Sequence, residues 1–87
     1  MTPATILIIE DDATILRVVK DNCAKHGHRV LTARDGEAGL DAALNRRPDL
    51  IVLDLMLPKV NGYEICRAVR AEKLDVPILM LTAKGQE

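Results

Sequence analysis

The chain has 87 residues, a formal net charge of −1 and 48% hydrophobic residues, with Tyr63 its single aromatic side chain. That length supports one small domain with an aliphatic core of modest stability, since a chain this short buries only about 60–65% of its unfolded surface. The balanced charge gives no general reason to bind nucleic acid or an anionic membrane, and no run approaches the ~18–20 apolar residues of a transmembrane helix.

The first element is a β-rich run over residues 5–10, Ile6-Leu7-Ile8-Ile9, which ends in Glu10-Asp11-Asp12. No basic stretch precedes it, so it does not read as a signal peptide, and a cytoplasmic location is expected. Residues 13–26 carry helical periodicity, with Ile15, Val18, Val19, Asn22 and Cys23 expected on the inward face. Asp12 is placed to cap that helix and Gly27 to end it. His26 and His28 flank Gly27, where a dipole contact or solvent exposure is expected rather than a metal site. Arg17, Lys20, Asp21 and Lys25 form a charged face with a helpful Asp21–Lys25 spacing.

Residues 29–33 form a second, more polar strand, followed by an Asp35-Gly36 turn. A second helix is expected over 37–47, with Leu40, Ala43 and Leu44 inward and Pro48 as its stop. Leu50-Ile51-Val52-Leu53-Asp54 is a third strand whose last residue is a carboxylate. The loop 55–61 leads to a third helix near 62–73, with capping-box spacing between Asn61 and Glu64 and with Ile65, Cys66 and Val69 inward. The Asn61-Gly62 pair itself reads as turn chemistry. Pro77 opens a fourth strand over 77–82. Cys23 and Cys66 read as small buried thiols.

Strands and helices alternate without a linker, which predicts a single α/β domain over residues 1–87 with a doubly wound parallel sheet and helices on both faces. The mixed second strand suits an edge, giving the order 2-1-3-4. Continuous apolar runs predict that strands one, three and four are buried on both sides. Ligands of such sheets bind beyond the carboxyl ends of the strands, where the order reverses between strands one and three. Glu10, Asp11 and Asp54 fall there.

Three clustered carboxylates repel each other, by roughly 3 kcal/mol per pair at about 5 Å and an effective dielectric near 20. A divalent cation relieves that cost, and an all-oxygen donor set favours Mg²⁺, or Mn²⁺, over Zn²⁺. Mg²⁺ commonly pairs with a phosphoryl substrate, and a carboxylate can itself accept a phosphoryl group. Asp54, on the central strand, is the candidate acceptor. The Thr82 hydroxyl is a candidate donor to a phosphoryl oxygen, and the Met56 carbonyl a candidate metal ligand.

The runs Ile6-Leu7-Ile8-Ile9-Glu10-Asp11-Asp12, Asp54-Leu55-Met56-Leu57-Pro58, Asn61-Gly62-Tyr63-Glu64 and Leu81-Thr82-Ala83-Lys84-Gly85, with Asp35-Gly36, resemble the receiver domain of two-component response regulators. The resemblance spans essentially the whole chain in family order and looks closest to the transcription-factor class with a winged-helix output. It implies a flavodoxin-like fold and assigns roles by position. Asp54 matches the phosphoacceptor, and Glu10 and Asp11 match the acidic Mg²⁺-binding pair, with Asp11 as direct ligand and Glu10 acting through water. Met56 matches the carbonyl ligand and Thr82 the switch hydroxyl. Asp12 falls one place too late and is read as a helix cap. The implied partner is a sensor histidine kinase or phosphotransfer protein, and the first helix helps to contact it.

The family continues through a fourth helix, a fifth strand with its lysine, and a fifth helix, none of which has a counterpart in these 87 residues. A truncated form is therefore expected, with impaired phosphorylation and with self-association through an exposed fourth strand. Two alternatives belong to other classes. An aspartate-nucleophile phosphatase would need a second aspartate where Met56 stands, so an enzyme is not expected. A non-signalling scaffold would bind no phosphoryl group. No Gly-x-Gly-x-x-Gly follows the first strand, which argues against a dinucleotide-binding half.

Overall fold

The computed structural model describes residues 3–57 and 60–81. Strands β1 (Thr5–Ile9), β2 (Arg29–Ala33), β3 (Leu50–Asp54) and β4 (Ile78–Leu81) alternate with helices α1 (Ala13–Lys25), α2 (Gly36–Arg46) and α3 (Gly62–Ala71). All neighbouring strands are parallel, in the expected order β2-β1-β3-β4.

Alternation along each central strand builds two cores. Ile6, Ile8 and Val52 point to the face covered by α1, through Leu16, Val19 and Cys23. Leu7, Ile9, Ile51 and Leu53 point to the other face, where Ala43 of α2 and Ile65 and Val69 of α3 cover them. Fully burying a Leu or Ile contributes ~1.5–3 kcal/mol, so these two strands hold most of the fold's apolar stabilisation. Both cysteines are free thiols, half-buried against these cores, and burial pushes the Cys66 thiol up from its ordinary value.

The inward face of α1 meets expectation at Val19 and Cys23 and differs elsewhere. Leu16, Val19 and Cys23 face the sheet, whereas Ile15 and Val18 are 44% and 57% exposed and Asn22 is exposed too. The helix carries two adjacent apolar stripes one residue out of phase, and periodicity cannot choose between them. In α2, Gly36, Gly39 and Ala43 are buried, with Leu40 packed beside them, while Leu44 is only half-buried. β4 is also more open than the expected strand buried on both sides.

 Leu79 and Met80 are 55% and 41% exposed, because β4 pairs with β3 on one side and forms the edge of the described sheet.

Each helix begins on a side-chain cap. Asp12 Oδ1 accepts from the Thr14 and Ile15 amides at 2.9 and 3.1 Å, Asp35 Oδ1 from Ala38 at 2.8 Å, and Asn61 Oδ1 from Glu64 at 3.1 Å. Such caps are each worth about 1 kcal/mol. Gly27 ends α1 with φ at 86°, a conformation that costs glycine little. His26 Nδ1 lies 2.9 Å from the Asn22 carbonyl, the helix-end contact expected of it. His28 Nδ1 instead accepts from the Ala4 amide at 3.0 Å.

Two expected turns are helix starts. Asp35-Gly36 and Asn61-Gly62 each supply a cap and the first helical residue. Their glycines answer to space, not to φ. A Cβ on Gly36 would collide with the Val60 carbonyl and lie 2.7 Å from the Val60 Cβ. One on Gly62 would lie 2.8 Å from the Leu55 Cα.

Candidate functional site

Register brings the acids together. Ile9 pairs with Leu53, so the next residues, Glu10 and Asp54, leave the sheet side by side. Both are buried, at 3% and 9% exposure. Burial and the negative charge of Asp54 push the Glu10 carboxyl above its ordinary value of 4.5, while the Asp12 amide, 3.0 Å from Glu10 Oε2, pulls in the opposite direction. Asp54 Oδ1 accepts from the Met56 amide at 3.1 Å, which fixes one carboxylate oxygen at the start of the loop.

A solvent-open cleft of about 430 Å³ lies over this pair, lined by Glu10, Asp11, Asp12, Ile15, Asp54, Met56 and Leu81. Four expected site residues, Glu10, Asp11, Asp54 and Met56, therefore share one cleft. Asp12 also reaches it, but its side chain caps α1 as expected. Thr82 lies outside the described residues.

The donor chemistry suits a hard cation. Every polar group lining the cleft is a carboxylate or backbone group, and two of the carboxylates are buried against each other. Among the described residues, no three His, Cys, Asp or Glu side chains form a ready-made ligand cluster. Mg²⁺ keeps several waters and needs only one or two carboxylates from a protein.

Glu10 gives a pH test. Its carboxyl is raised in the folded chain, so the folded state holds that proton more tightly than the unfolded state does. The contribution favours folding below about pH 4.5 and is lost as pH rises through the folded value. Without metal, Glu10→Gln is therefore expected to match the parent in acid and to exceed it in stability above that range. Denaturant melts between pH 4 and 8 check this, and a parent that gains on the variant as pH rises contradicts it.

Sequence reasoning missed Arg34. Its Nη2 donates to the Asp11 carbonyl at 3.0 Å, across 23 residues of chain. No local signal marks it, because only the parallel pairing of β1 with β2 sets their carboxyl ends side by side.

Comparison with known proteins follows the same outline. The family model for the response regulator receiver domain matches residues 6–87. The chain is 49% identical over 94% of its length to the alkaline phosphatase synthesis transcriptional regulatory protein PhoP of Bacillus subtilis, and covers 34% of that protein. It is 45% identical over 95% of its length to the transcriptional regulatory protein AfsQ1 of Streptomyces coelicolor, covering 36%. It thus spans about a third of the length of these curated relatives. Among solved structures, it is similar to the receiver domain of sensor histidine kinase PA1611 of Pseudomonas aeruginosa, which has magnesium coordinated in its active site cleft. There the TM-score is 0.92 at 32% identity, covering 99% of this chain and 72% of that one. The chemotaxis response regulator CheY4 of Vibrio cholerae gives 0.91 at 34% identity, covering 98% and 72%.

Proposed function

We propose that this chain, which belongs to the response regulator receiver domain family, accepts a phosphoryl group on Asp54 from a phosphohistidine of a sensor histidine kinase or phosphotransfer protein. The observation that carries the proposal is the convergence of Glu10, Asp11, Asp54 and Met56 on one cleft at the carboxyl end of β1 and β3. In the reaction, an Asp54 carboxylate oxygen bonds to phosphorus as the phosphorus–nitrogen bond breaks, and the electron pair leaves with the imidazole nitrogen. The Met56 amide holds Asp54 Oδ1, which leaves the other oxygen as the attacking one.

Mg²⁺ would be held by Asp54, Asp11 and the Met56 carbonyl, with Glu10 acting through water, and supplies charge neutralisation for the phosphoryl oxygens when bound. Mn²⁺ shares the oxygen preference and is the alternative ion. The role is that of a signalling module accepting one group, not of a phosphatase, since Met56 occupies the place where such an enzyme needs its second aspartate. No cation lines the described cleft, so labelling of the 87-residue chain is expected to be slow.

Mg²⁺ titration followed by NMR tests the reading. Saturable shifts at Glu10, Asp11, Asp54 and Met56 are expected, with the half-saturation point lowered by a phosphoryl mimic such as beryllofluoride. Shifts scattered over surface carboxylates, unchanged by the mimic, would sink it.

One observation favours a second reading for an isolated 87-residue polypeptide. Leu79 and Met80 are exposed on the edge strand β4, a row that invites pairing with a second copy. Sedimentation at micromolar concentration is then expected to show dimers or larger species, reduced by Leu79→Lys. A parent that sediments as a monomer rules this out.

A further inference from the structure

We infer that Arg34 is a positioning residue for Glu10, acting through the peptide group that joins Asp11 to Asp12. This rests on the reading of the cleft given above. The carbonyl of that peptide accepts from Arg34 Nη2 at 3.0 Å. Its amide, on Asp12, donates to Glu10 Oε2 at 3.0 Å. A trans peptide holds its carbonyl and amide on opposite edges of one rigid plane. One planar unit is therefore gripped from both sides, by the guanidinium on its oxygen and by the Glu10 carboxylate on its hydrogen.

The consequences are geometric and electronic. Rotation of the 11–12 plane would break both bonds at once, so Arg34 fixes the direction in which the Asp12 amide points. That amide in turn engages Glu10 Oε2 and leaves the other Glu10 oxygen for the cleft. A donor on the carbonyl also polarises the peptide and strengthens its amide as a donor, the usual cooperativity of chained hydrogen bonds. The neighbouring restraints are local: Glu10 N donates to the Ala33 carbonyl at 3.0 Å, and Asp12 caps α1. Neither fixes the 11–12 plane from its carbonyl side.

Charge and position act in opposite directions on a bound cation. Removing the guanidinium relieves repulsion of Mg²⁺, whereas losing the clamp disorders Glu10. High salt separates them, because screening shrinks the Debye length to roughly 3 Å at 1 M and leaves the hydrogen-bonded geometry in place.

The test compares the parent with Arg34→Met, which removes charge and donor, and Arg34→Lys, which keeps both. In metal-free protein, hydrogen exchange at the Asp12 amide is expected to quicken by about tenfold in Arg34→Met, the size of one lost hydrogen bond, and to return towards the parent rate in Arg34→Lys. At high salt, the Mg²⁺ concentration for half-maximal labelling of Asp54 is expected to rise several-fold in Arg34→Met while the maximal rate holds. An Asp12 exchange rate within twofold of the parent, or a fall in maximal rate with no change in Mg²⁺ dependence, overturns the inference. If the parent neither binds Mg²⁺ nor takes label, the proposed function fails, and the metal-free exchange comparison still decides the clamp.

Discussion

Asp54→Asn is expected to reduce phosphoryl labelling by a small-molecule phosphodonor to background. The amide oxygen of Asn retains an acceptor for the Met56 amide, now 3.1 Å from Asp54 Oδ1, so the loop keeps its anchor. What disappears is the carboxylate that must attack phosphorus, and the two acids beside it are held elsewhere. Glu10 is buried with one oxygen held by the Asp12 amide, and the Asp12 side chain is committed to the start of α1. The variant also removes one of two buried like charges, so it is expected to fold at least as well as the parent without metal. Labelling by a radioactive donor, with a denaturant melt on the same sample, checks both halves. Label that persists in a folded Asp54→Asn chain places the acceptor elsewhere.

Gly62→Ala has the second large effect, and it acts through space. The added Cβ would lie 2.8 Å from Leu55 Cα and 3.0 Å from the Asp54 carbonyl oxygen. Both are backbone atoms, so no side-chain rotation relieves the contact. Overpacking of this kind costs about 1–3 kcal/mol, against a helix-propensity gain of at most about 1 kcal/mol for replacing Gly by Ala. The clash wins. Gly62 N also donates to the Leu55 carbonyl at 3.2 Å, so a displaced α3 start drags the segment that carries Asp54. A fall in Tm on the order of 4–8 °C per kcal/mol is expected, together with slower labelling of Asp54. Gly27→Ala is the control: it meets open space and strains only the backbone, so it lowers stability without slowing labelling. Equal labelling in Gly62→Ala and the parent contradicts the packing argument.

Much of the site was legible because strand chemistry is local. Two apolar runs that end in Glu10 and Asp54 announce buried strands, and parallel order alone sends both acids to the same edge. The caps at Asp12 and Asn61 were equally plain. Gly62 was misjudged as turn chemistry because a sequence shows that a residue lacks a side chain, not which neighbour occupies the space. The stripe on α1 was only partly placed for a related reason: Val19 and Cys23 face the sheet as expected, but Ile15 and Val18 are as apolar as Leu16, and only the sheet decides which of them it covers. Arg34 was invisible, since its partner lies 23 residues away and no periodicity links the ends of two parallel strands.

The central claim is that Asp54 is the phosphoryl acceptor of this cleft. The most direct measurement treats the 87-residue chain with a small-molecule phosphodonor and Mg²⁺, traps the acyl phosphate by borohydride reduction, and maps the reduced residue by tandem mass spectrometry. Reduction at Asp54, dependent on Mg²⁺ and absent without donor, is the predicted result. Reduction at Asp11, Asp12 or another carboxylate, or no trapped residue at all, would contradict the account.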